Sequence, residues 1–178
     1  MDELDKKIQN MDLIIAMRKM QDQDTPENRN AMINQVMRSK FITPAFVSEE
    51  EAKRVAKAQE SGTKVPMQVN FKVVIGKDGK KYLPAFTDTM LFREWQEKSK
   101  TTEPIKKMVM NFDVYAQYIL NSKGELSGFI VNPFSENLVF PEPMVRTLAM
   151  QKARFMKELA ERKRAEAEAL EKSARLEE

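Results

Sequence analysis

An α/β domain of the α+β type, built on one mixed β-sheet of about five or six strands flanked by helices, is predicted by three features of the sequence. β-rich runs alternate with helical patterns through the middle of the chain; each end, 1–40 and 143–178, carries helical patterns only; and 178 residues, 42% of them hydrophobic, suffice for one domain with a substantial core plus extensions. The expected organisation is an N-terminal helical pair over 1–40 packed on the domain, an α/β domain over 41–142, and a long C-terminal helix with a solvated charged tail over 143–178.

Leu4, Ile8, Met11 and Ile15 recur at spacings of three and four, with Leu13, Ile14 and Met17 widening the stripe, which predicts an amphipathic helix over 3–21. Thr25 is placed to cap the next helix with Pro26 at its first position, and Ile33, Val36 and Met37 supply the buried side. "KFITPAFV" reads as a short buried strand. Ser48 and Glu51 then form a capping box opening the helix "EEEAKRVAKAQE", which Gly62 ends. That helix has little to bury, so it is expected to be an exposed crossover connection. "MQVNFKVVIGKDGKKYLPAFTD" holds two β-rich runs joined at "GKDGK", where Asp78-Gly79 suits a hairpin turn.

After Phe86, Thr87 or Asp88 caps a helix whose Leu91, Phe92 and Trp95 cluster at helical spacing, and "EKSKTTEP" breaks the chain. "KKMVMNF" is a strand, Asp113 is placed to cap "VYAQYIL", and Gly124 closes that helix. "SGFIVNPF" and "ENLVF" are strands around an Asn-Pro turn. Pro143 opens the last helix, in which Val145, Leu148, Ala149, Phe155, Met156 and Leu159 form an apolar stripe. Beyond Ala160 the stripe fades into Ala and paired charges such as Glu168 with Lys172 and Glu171 with Arg175, the pattern of a solvated helix rather than a coiled coil.

The net charge of +3 balances 30 basic against 27 acidic residues, which does not point to nucleic acid. Between residues 61 and 83, however, Lys64, Lys72, Lys77, Lys80 and Lys81 face Asp78 alone. Lys77, Lys80 and Lys81 are the candidate basic patch; a solvated hairpin rim is the simpler reading, because no aromatic residues interleave as in a single-strand binder. The chain has no cysteine and no histidine. Disulfides, thiolate nucleophiles, Ser-His-Asp triads and histidine metal ligands or proton shuttles are thereby excluded. No cofactor and no metal are expected, and catalysis is not the leading expectation. The opening "MDELDKKIQNMDLIIAM" is mixed and no stretch approaches a membrane span, so a cytoplasmic location is expected.

Two stretches repeat a pattern: "FITPAFVSEE" and "KYLPAFTDTM" each break an apolar strand with proline, bury a phenylalanine and enter a helix through a capping residue. Pro84 removes a strand donor. Asp88 serves as a cap, Trp95 as core. Asn132, before Pro133, is the stronger candidate for a site, since its amide both donates and accepts where a strand ends, although turn chemistry also accounts for it. Met17, Met20, Met32 and Met37 in the helical pair could form an adaptable contact surface.

The order "YLPAFTD…FREW", "MVMNFDVYAQYIL", "SGFIVNPFSENLVF" resembles the N-terminal domain of the SseB family, the enhanced serine sensitivity proteins, over about residues 40–142. The resemblance implies a small bacterial, cytoplasmic α/β domain and supplies no catalytic residues to carry over. The chain reads as a single copy with helical additions, and no stretch resembles the family's separate C-terminal domain.

The leading expectation is a noncatalytic protein-binding or regulatory module. Its groove would be formed by Pro84, Phe86, Thr87, Asp88, Trp95, Asn132 and Pro133, or its contacts, self-association included, would run through the helical extensions. The rival is a small-ligand or carboxylate/hydroxyl-based enzymatic site gathering Thr87, Asp88, Asn132 and Ser135 at the strand ends. No membrane partner is expected.

Overall fold

Pro44 decides where the first sheet is cut. The computed structural model describes residues 3, 8, 10–100 and 104–174, with side chains to 169. Leu4, part of the predicted break at 101–103, and the pairs Glu168–Lys172 and Glu171–Arg175 lie outside these. Strand β1 (Lys40–Phe46) is central in a three-stranded sheet of order β2-β1-β5, antiparallel to both β2 (Asn70–Phe71) and β5 (Lys106–Asn111). Lys72 donates its N–H to the Pro44 carbonyl at 3.0 Å, but Pro44 has no N–H to return. Pairing with β2 stops there, and the chain moves on to a second sheet.

That second sheet has the order β3-β4-β6-β7, formed by β3 (Val74–Ile75), β4 (Lys81–Ala85), β6 (Gly128–Val131) and β7 (Leu138–Pro141). β3–β4 and β6–β7 are antiparallel; β4–β6 is parallel. The run predicted as one strand before "GKDGK" is therefore divided between the sheets, and two sheets of three and four strands stand in place of one of five or six. Among the described residues they meet at a single bridge: Ile42 and Phe86 exchange both backbone hydrogen bonds at 2.9 Å.

The helices follow from their caps. In the N-terminal pair, α1 (Met11–Asp22) lies against α2 (Pro26–Arg38), which Thr25 caps by accepting from the Asn28 N–H at 3.2 Å. Leu13, Ala16, Met17, Met32 and Val36 are buried, whereas Met11 is 67% exposed and Ile15 is exposed too. The predicted stripe presumes one continuous helix, and the non-helical Asn10 resets its phase. Met17 and Met32 are core and Met20 and Met37 are half-buried, so these methionines do not form the adaptable surface. Helix α3 (Glu49–Glu60) is capped by Ser48 and is largely exposed. It joins antiparallel neighbours β1 and β2 rather than crossing between parallel strands.

Helix α4 (Thr89–Ser99) is capped by Asp88, which accepts from the Leu91 N–H at 2.9 Å. Helix α5 (Phe112–Asn121) is capped by Asn111, accepting from the Val114 N–H at 3.1 Å, and not by Asp113, which sits in its first turn. The core has two aromatic foci. Phe86, Phe92 and Trp95 pack with Ile8 and Ile42. On the other face of the second sheet, Phe129 stacks on its cross-strand partner Phe140 with centroids 4.7 Å apart and meets Phe112 and Tyr115 of α5. Gly128, at φ +143°, admits no side chain, because a Cβ would lie 2.0 Å from the Phe140 carbonyl oxygen.

The chain divides into two compact units at Glu142–Pro143. The second is the body of helix α6 (Glu142–Ala174), whose surface carries i,i+4 ion pairs such as Arg154–Glu158 and Arg164–Glu168. Phe155 and Met156, placed by the sequence in an apolar stripe, are exposed. Among the described residues no helix is long and apolar enough to cross a membrane, and no cluster of acidic side chains could hold a metal.

Candidate functional site

The parallel pairing of β4 with β6 brings the two sequence-predicted strand ends together. The Asn132 Oδ1 accepts from the Thr87 N–H at 2.9 Å, and its Nδ2 donates to the Thr87 Oγ1 at 3.0 Å. The Thr87 hydroxyl reaches the Asp88 carboxylate at 3.1 Å, and the Asn132 N–H donates to the Ala85 carbonyl. The Asn132 carbonyl accepts from the Ser135 and Asn137 N–H groups. Phe86, Thr87, Trp95 and Asn132 are all buried, as is Pro84. Among the expected groove residues the structure thus assembles a saturated interior joint: Asn132 and Asp88 meet through Thr87, and their polar atoms are occupied by one another and by the α4 cap.

The joint is tied down from two further directions. The Asn10 Nδ2 donates to the Thr87 carbonyl at 2.9 Å and to the Lys40 carbonyl at 2.8 Å, linking α1 to the approaches of both sheets. The Tyr115 hydroxyl donates to the Pro84 carbonyl at 3.0 Å and also contacts the Thr43 hydroxyl. Burial pushes this phenol's pKa up. One side chain thereby joins Pro84 to Thr43, the residue before Pro44.

An accessible site opens one step farther out. Along β4, β6 and β7 the alternation of side chains puts Leu83, Phe129 and Phe140 toward α5 and leaves Tyr82, Ile130 and Val139 on the opposite face. A groove of about 580 Å³ lies on that face between the 76–80 hairpin and the 132–137 loop, with Ile75, Lys77, Pro133 and Phe134 at its margins. The hairpin is held in shape by Asp78, which accepts from the Tyr82 hydroxyl at 2.8 Å and from the Lys80 N–H at 3.1 Å. The bond from Tyr82 lowers the Asp78 pKa, and the same bond raises that of Tyr82. Gly76 permits this packing: a Cβ there would come within 2.6 Å of the Asp78 Oδ1 and 2.8 Å of the Tyr82 ring.

The other margin is conformationally unusual. Asn132, Phe134 and Asn137 have φ of +48°, +70° and +52°. Asparagine tolerates this region, whereas phenylalanine does not do so readily. Phe134 is nonetheless 64% exposed, so little burial of the residue offsets the strain. Of the predicted basic patch, Lys77 borders the groove, Lys80 pairs loosely with Asp78 at 4.0 Å, and Lys81 projects from the alternate strand position to Tyr82.

Sequence reasoning located Pro133 and Ser135 at this margin but missed Ile75, Phe134 and Val139. In strand patterns, exposed apolar residues are indistinguishable from core. The available signal was "NPFSEN", an aromatic residue isolated in a polar turn.

A family model described as SseB protein N-terminal domain matches residues 13–147. The matched span begins inside α1, so it takes in most of the helical pair as well as both sheets. No curated protein and no solved structure matches the chain.

Proposed function

The chain belongs to the SseB N-terminal domain family, and we propose that this member is a noncatalytic binding module that receives an apolar segment of another protein in the groove between the 76–80 hairpin and the 132–137 loop. The observation that carries the reading is Phe134. A bulky residue in the left-handed region costs about 1–2 kcal/mol, and here it holds an aromatic ring out at the groove margin. Exposed aromatic side chains beside an apolar concavity are the usual anchors of protein recognition. Ile75 and Val139, also exposed, extend the apolar margin to both edge strands of the sheet.

The test begins with a photo-crosslinking amino acid at position 134 in cells, mapping the crosslinked peptide by mass spectrometry. The mapped segment is then titrated calorimetrically against the purified chain and against Phe134→Ala. The expected result is one recurrent segment whose affinity falls at least about tenfold in the variant. Crosslinks scattered over unrelated sequences, or an affinity unchanged by Phe134→Ala, would overturn the proposal.

A further inference from the structure

A second cavity, of about 560 Å³, lies between β2 and the C-terminal half of α5 and is independent of the groove. Its volume is within the range of about 300–1,000 Å³ common to small-molecule sites. We propose that it binds an uncharged, hydroxyl-rich ligand of the mono- or disaccharide class.

The argument begins with the chemistry of the walls. Gln117 and Asn121 stand four residues apart on α5 and so share a face of that helix; Asn70 comes from β2. All three amides are exposed. Each carries donors and an acceptor in one plane, and a sugar hydroxyl likewise donates and accepts, so three amides match vicinal hydroxyl groups with no charge required. The Ser122 hydroxyl is excluded from this set, since it donates to the Ile119 carbonyl at 2.7 Å and accepts from the Leu126 N–H at 3.1 Å.

The aromatic component fits the same ligand. Phe71 and Tyr118 meet edge to face with centroids 4.8 Å apart, and Tyr118 is partly exposed. The electron-rich ring face attracts the weakly positive C–H face of a pyranose. Leu83 and Leu126 complete an apolar floor. Among the described residues no lysine or arginine lines the cavity, which argues against phosphorylated or carboxylated ligands. Among the described residues Glu125 is the lone acid on the lining, on an exposed turn among neutral amides, which is a weak basis for selecting a cation.

The experiment is a ¹H–¹⁵N titration of the full chain with maltose, with choline chloride as the cationic comparator. Saturable shifts are expected at the side-chain amides of Asn70, Gln117 and Asn121 and at Tyr118, with a Kd on the order of 1 mM. The double variant Gln117→Ala/Asn121→Ala, changed at exposed positions, is expected to keep the folded spectrum and weaken maltose at least about tenfold; Phe134→Ala is expected to leave it unchanged. Saturable shifts with choline but not maltose would assign the cavity to organic cations and overturn the proposal. Absence of saturation with either probe would overturn it too, as would maltose shifts that survive the double variant.

Discussion

Asn132 holds Thr87 through both ends of its amide, accepting the backbone N–H at 2.9 Å and donating to the hydroxyl at 3.0 Å, with both residues buried. Asn132→Ala removes both bonds, strands the Thr87 N–H and leaves at positive φ a residue with no side-chain hydrogen bond. The expected loss is about 2–4 kcal/mol in urea denaturation. Asp88→Ala, which removes a helix cap and one contact to Thr87, is expected to cost about 1 kcal/mol. Equal losses would contradict the role given to Asn132.

Phe134→Gly is expected to raise stability while removing the binding anchor. Relief of about 1–2 kcal/mol of left-handed strain exceeds the added chain entropy of glycine, about 0.5–1 kcal/mol. A net gain of up to about 1.5 kcal/mol by thermal denaturation, together with loss of the crosslinked segment, is the pattern of a residue retained for function against stability. A stability loss would show that Phe134 supports the loop.

Glu51 predicts a pH response at the 61–69 segment. Its carboxylate receives two hydrogen bonds from Arg54 at 2.7 Å and the Gln68 N–H at 2.6 Å, while Arg54 also reaches the Pro66 carbonyl. The Arg54 guanidinium, followed by the Gln68 amide, lowers its pKa from 4.5 to about 2. Because the folded value is depressed, the stabilisation is present above the ordinary value and is lost as pH falls through that window. The Gln68 amide resonance is expected to titrate near the lower value, and Glu51→Gln is expected to speed its hydrogen exchange. A midpoint near the ordinary carboxylate value would refute the pinning.

Tyr115→Phe is expected to cost about 1–3 kcal/mol, since the Pro84 carbonyl and the Thr43 hydroxyl lose a buried partner together. The phenol's raised pKa has the opposite pH sense from Glu51: its stabilisation is complete below the unfolded value of about 10 and falls as pH rises beyond it. Absorbance titration of folded protein against Tyr115→Phe should therefore differ only after alkaline unfolding begins.

Local chemistry was legible wherever one residue acts on its near neighbours. Thr25, Ser48 and Asp88 cap as their side chains dictate, and the Asp78-Gly79 turn closes the expected hairpin. Asn111 displaces Asp113 because the helix starts two residues earlier than the apolar pattern indicates. The division into two sheets was hidden because Pro44 acts on Lys72, far along the chain. At the candidate site, the chemical capacity of Asn132 was readable but not its partner, and the strain at Phe134 is a property of the closed loop rather than of its composition.

The distance along the chain between Thr87 and Asn132, 45 residues, also orders events in time. The β3–β4 hairpin needs only a five-residue turn and can form within microseconds, while the parallel β4–β6 pair must wait for α4, β5 and α5 to be brought into place. The amide clasp at the joint is therefore expected to close late. Asn132→Ala should leave the refolding rate nearly unchanged and express its cost as faster unfolding. In stopped-flow kinetics the joint would act as a latch on the native state, governing how long the domain persists rather than how quickly it forms.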